Sequence, residues 1–157
     1  MAEEGLSAYS QRELKQLAKT FQLMGDEAVA EARSVSNALA SYTAGKIKEA
    51  GYERTVSAKA VKRTVDGLRV SKTSKTGQIS IGFAGQRFSG GATTQMLWRG
   101  LEFGSVRFKQ FPSWSGRYGR GSRGWFIYPT LRSVQSELTQ KWTESMDKVV
   151  KNWKTNG

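Results

Sequence analysis

The sequence predicts an α+β fold in which N-terminal helices and a long C-terminal helix pack on a small, mainly antiparallel β-sheet, with one long basic Gly/aromatic loop. Three observations carry that expectation. Apolar residues recur at steps of three and four near both ends, they alternate with period two in the middle, and residues 105–123 follow neither period. A chain of 157 residues fits one domain, 1–157, with 1–9 and 154–157 expected as flexible ends.

Leu14, Leu17, Phe21 and Met24 mark a first helix over about 11–24, with Ser10 and Glu13 placed as a capping box and Gly25 as its end. Asp26 caps a second helix to about residue 50, whose stripe is Ala28, Ala32, Val35, Leu39 and Tyr42. Its many alanines, Ala30, Ala38 and Ala40 among them, permit close approach to a neighbouring element. Gly51 reads as the stop of this helix. Residues 52–66 suit either a strand edge or a short helix from near Ser57, and the helix is favoured. Period-two alternation at 68–72 and 78–83, separated by Thr73-Ser74-Lys75-Thr76-Gly77, is a hairpin signal. Thr93 or Thr94 opens a short helix through Met96, Leu97 and Leu101, which Gly104 closes.

Trp125-Phe126-Ile127-Tyr128 is too short an apolar run for a helix, so 124–128 is expected as a third strand, with Pro129 opening the next helix. That helix, 130–153, is the strongest in the chain: Leu131, Val134, Leu138, Trp142, Met146, Val149 and Trp153 lie on one stripe.

The chain has no cysteine and no histidine, which removes disulfides, thiolate or imidazole metal sites and Cys-His or Ser-His nucleophilic machines. An intracellular fold is natural. The acidic start lacks an apolar signal region and no run approaches a membrane span, so a soluble, untargeted chain is expected. Residues 52–123 hold 14 Lys/Arg against 3 Asp/Glu, whereas 1–51 and 124–157 are near balance. A basic block of this kind suits nucleic acid, an acidic protein surface or anionic lipid, or simply a solvated face.

Enzymatic activity is not expected. The only acids of the basic middle, Glu53, Asp66 and Glu102, show no paired spacing, and Gly119-Arg120-Gly121 lacks the Lys-Ser/Thr of a phosphate-binding loop. Glu102, set before Phe103, Gly104 and Ser105, reads as a salt-bridge or loop-capping group. No catalytic residue, metal ligand or cofactor is assigned. Arg107, Lys109, Arg117, Arg120 and Arg123, interleaved with Phe108, Phe111, Trp114 and Tyr118, are expected to form a loop that contacts a partner protein or DNA. Trp98, Phe108, Phe111 and Trp114 are expected as exposed aromatic material.

Ser89-Gly90-Gly91, Glu102-Phe103-Gly104-Ser105, Gln110-Phe111-Pro112 and Tyr128-Pro129-Thr130-Leu131-Arg132, in this order among the elements above, carry a resemblance. The chain resembles the small neck or head-tail joining proteins of long-tailed bacteriophages, a family often labelled tail component or tail completion. The resemblance implies an α+β virion subunit forming a ring, expected as a hexamer, between the capsid's portal assembly and the tail tube. Its implied partners are copies of itself, the adjacent neck or stopper ring and the tail-tube protein, with DNA passing through the opening and no membrane. The alternative is a small basic nucleic-acid-binding protein that uses the Arg/Gly/aromatic loop.

Overall fold

A computed structural model of the chain describes residues 11–71, 80–105, 111 and 123–156. The element order is α1 (Gln11–Met24), α2 (Asp26–Glu53), α3 (Ala58–Asp66), β1 (Leu68–Ser71), β2 (Ser80–Phe83), α4 (Thr94–Phe103) and α5 (Tyr128–Asn156). The fold is α+β: mostly helical, with a long C-terminal helix and one small antiparallel sheet of β1 and β2. Among the described residues no helix is long and apolar enough to cross a membrane.

The chain divides into two compact units, one built from residues 1–42, 70–80 and 134–157 and the other from 43–69 and 81–133. In the first, Gly25 takes φ +108°, a conformation open to glycine, and so separates α1 from α2. Asp26 and Glu27 place negative charge in the first turn of α2, where the helix dipole favours it. Ala28 and Ala32 are buried against Trp142, Met146 and Val149 of α5, with Met24, Val29, Val35 and Leu39 packed around them. Small residues on α2 thus admit large ones from α5, each contributing about 1.5–3 kcal/mol by burial. Ala30 and Ala38, by contrast, are exposed. At the edge of this core the Tyr42 hydroxyl donates to Glu137 at 2.8 Å, and Lys141 both pairs with Glu137 at 3.1 Å and lies over the Tyr42 ring.

The second unit holds Ile47, Val61, Val65, Leu68, Leu101, Phe111, Trp125, Phe126 and Ile127 in its core. Here Gly51 departs from expectation. It does not stop α2, which continues to Glu53. A Cβ on residue 51 would lie 2.5 Å from Val65 Cγ1, so this glycine leaves room for the Val65 side chain of α3. The favoured short helix at 58–66 is α3, preceded by Ser57 in the left-handed region at φ 54°. It packs on α4. Between β2 and α4 the chain makes a tight turn: Phe88 and Ala92 are joined by a backbone bond of 2.8 Å, and Gly91 has φ +86°. Thr94 N–H donates to Gln86 O at 2.9 Å, and Gln95 reaches back to the Phe83 carbonyl.

The expected third strand is absent from 124–128, and a physical reason is visible. Extended backbone points successive N–H groups to opposite sides. In this chain the N–H groups of Phe126 and Ile127 both donate to one oxygen, Oε2 of Glu102, and that of Tyr128 donates to its Oε1. Convergent donors need a folded lead-in to a helix, which Gly124 at φ +79° begins.

Candidate functional site

The most constrained feature of the second unit is the junction of α4 and α5. Glu102 lies in the last turn of α4 and is fully buried. Its carboxylate accepts the N–H groups of Phe126, Ile127 and Tyr128, each at 2.9 Å. A helix N-terminus exposes donors with no intrahelical partner, and a negative charge there also complements the dipole. Pro129 follows with no N–H to satisfy, and Leu131 N–H opens the intrahelical series by bonding to Ile127 O at 2.9 Å. The start of α5 is therefore capped by a residue from a different helix. Glu102 is the loop-capping group the sequence suggests, and its hydrogen-bond partners among the described residues are backbone N–H groups rather than a cation.

The neighbours of Glu102 reinforce the junction. The Phe103 ring packs on Tyr128 with centroids 5.3 Å apart. Gly104 closes α4 at φ +76°, its N–H bonded to Gly100 O at 2.7 Å. Arg54 donates from Nε to the Trp125 carbonyl at 2.9 Å and places its guanidinium 5.1 Å from the centre of that indole ring. Thr130 Oγ1 donates to Phe126 O at 2.7 Å, so a second side chain ties the lead-in to the first turn. Glu102, Phe103, Gly104 and Pro129, all singled out in the sequence, are thus brought together.

The loop residues fare differently. Phe111 is buried, its ring covering Gly100, where a Cβ would lie 2.5 Å from Phe111 Cε2. It packs on α4 instead of standing exposed. Trp98 is also half-buried, stacked on Phe83 at 5.6 Å. Arg123 is exposed, and its carbonyl accepts from the Arg132 guanidinium. Arg107, Lys109, Trp114, Arg117, Tyr118 and Arg120, with Phe108, lie outside the described residues, as do the expected cap at Ser10 and strand residues 72, 78 and 79. Among the described residues, Phe111 rests on Gly100, and the N–H groups of residues 126–128 are held by Glu102.

A second feature was not singled out by the sequence. Lys59, Ala60, Lys62, Arg63 and Asp66 of α3, with Phe88, line an open groove of about 470 Å³. Arg63 donates to the Arg87 carbonyl and lies 5.1 Å from the centre of the Phe88 ring. Asp66 accepts the Tyr52 hydroxyl, an interaction that raises the phenol above its ordinary value, with burial and the nearby negative charge adding to the shift. The signal that locates this groove is the run Lys59-Ala60-Val61-Lys62-Arg63, whose cations fall at i, i+3 and i+4 on one helix face. It is obscured by the larger count of cations in the loop.

Among the described residues no group of three or more Asp, Glu, His or Cys side chains could hold a metal ion. The chain matches no protein-family model, and neither curated proteins nor solved structures gave a match.

Proposed function

We propose that this chain is a structural virion protein of a tailed bacteriophage, a ring-forming neck, head-tail connector or tail-completion (tail terminator) subunit that joins the portal assembly to the tail tube. The observation that carries the reading is the Glu102 cap. Two separate parts of the resemblance, Glu102-Phe103-Gly104-Ser105 and Tyr128-Pro129-Thr130-Leu131-Arg132, meet in one structural unit through the carboxylate and through the ring contact of Phe103 with Tyr128. Motifs that cooperate in this way support the resemblance more than the same words scattered over the chain would.

In this reading the junction is a firm base for the basic loop. Backbone whose donors are all held by one buried carboxylate has little freedom to shift, because each buried donor left unpaired costs about 1–3 kcal/mol. A loop carried on such a base can meet an adjacent surface without the subunit core being disturbed. Rings close through heterologous contacts, one edge of a subunit against a different edge of its neighbour. The expected assembly is a hexamer, or a monomer that assembles only on its partner ring, placed at the head-tail interface of the virion after synthesis in the host cytoplasm. The role is structural, needs no cofactor, and allows non-specific contact with DNA in the channel.

Replacing Arg107, Lys109, Arg117, Arg120 and Arg123 together by Gln tests it. Loss of head-tail joining in phage assembled with this variant is the expected result. Normal particles that retain or eject DNA abnormally would assign the loop to the channel, and fully normal particles would remove the loop from the account.

A further inference from the structure

We propose that the groove on α3 binds the phosphodiester backbone of nucleic acid, through Lys59, Lys62 and Arg63 and without contacts to the bases. The inference concerns residues outside the 105–123 loop and does not rest on ring assembly.

The three cations share one face of α3, and all three are exposed. Among the described residues, carboxylates pair with Lys46 and Lys141, and neither Lys59 nor Lys62 has one within ion-pair distance. The one acid of the groove, Asp66, is already engaged by Tyr52. Arg63 is held in place by its bond to the Arg87 carbonyl and by the Phe88 ring beneath it. A guanidinium has five N–H donors, so one bond to a carbonyl leaves others for anionic oxygens. The result is one fixed and two adjustable cations around an open space of about 470 Å³, which can admit a sugar-phosphate unit.

Two arguments favour nucleic acid over an acidic protein segment. Protein segments generally draw binding energy from apolar anchors in pockets, and here the Phe88 face is occupied by Arg63. The same occupancy denies a base its stacking platform, which leaves the phosphates as the recognised groups. A chain of net charge +12 also attracts a long polyanion more effectively than a short one.

Fluorescence anisotropy of the full chain against a mixed-sequence duplex and a single strand, over a range of salt concentrations, tests the proposal. Wild-type binding should weaken with salt along a straight log-log line. The pair Lys59→Gln/Lys62→Gln should make the duplex slope shallower by about 1.8, and adding Arg63→Gln by about 2.7, from about 0.9 per phosphate contact. The lysine pair is decisive, since Arg63 also covers Phe88, and its thermal unfolding should match wild type. Three results would overturn the inference: no detectable DNA binding at the lowest salt, a slope that changes only when the 105–123 cations are replaced, or displacement of DNA by polyglutamate at equal concentration of anionic groups. The last would assign the groove to acidic protein segments.

Discussion

Gly124 and Glu102 share one space: a Cβ on residue 124 would fall on Oε1 of Glu102, the oxygen that accepts the Tyr128 N–H. Gly124→Ala therefore has two costs, a side chain at φ +79° and displacement of the carboxylate. We expect it to lower stability by at least about 2 kcal/mol, measured as a shift in denaturant midpoint without a change in slope.

Removing the carboxylate from the other side gives a second prediction. Glu102→Gln keeps the shape but offers one acceptor oxygen and an NH2 group where three N–H groups converge. A loss of about 2–4 kcal/mol is expected, from buried donors left unpaired. Because both changes damage one cap, the double variant Glu102→Gln/Gly124→Ala should lose clearly less than the sum of the two single changes. Additive losses would mean that the two residues act independently.

Helix α2 contains two glycines whose replacement should have opposite signs. Gly45 has nothing within 4 Å of an added Cβ, and Gly51 has Val65 Cγ1 at 2.5 Å. Gly45→Ala should stabilise by roughly 0.5–1 kcal/mol through helix propensity. Gly51→Ala should instead destabilise by about 1–3 kcal/mol through overpacking. Thermal unfolding of the two variants side by side checks this; a gain at both positions would mean that Val65 does not crowd residue 51.

Most of the helical layout is legible in the sequence because each boundary has a local cause. Gly25 and Gly104 have positive φ at the two helix ends where they are expected, and Val134, Trp142, Met146 and Val149 of the α5 stripe are buried, with Leu138 half-buried. What is not legible depends on partners distant in sequence. Residues 125–127 look like a strand because a short apolar run between Gly and Pro has no period of its own. Their conformation is set by Glu102, 24 residues earlier than Phe126. Gly51 looks like a terminator for the same reason, since a glycine required by a neighbouring valine carries no mark of that neighbour. Phe111 likewise is indistinguishable from the other loop aromatics until Gly100 is seen beneath it. The groove on α3 required only that its cations be projected onto a helix.

The Tyr52–Asp66 pair gives a pH prediction. The folded phenol holds its proton more tightly than the unfolded one, chiefly because its hydroxyl donates to Asp66. The native state thus binds more protons in the window between the ordinary and the raised value. This contribution to stability is present below the ordinary tyrosine range and is lost as pH rises through the raised value. Asp66→Asn should bring the Tyr52 titration, isolated by comparison with Tyr52→Phe in tyrosinate absorbance, back toward the ordinary value. An unchanged titration would remove Asp66 as its cause.

Native mass spectrometry of the full chain, alone and with the tail-tube or stopper protein that the proposed function implies, tests the central claim most directly. The account predicts a closed ring, expected as a hexamer, or a monomer that becomes a ring only when the partner is added. A strictly monomeric protein with no affinity for either partner would contradict it.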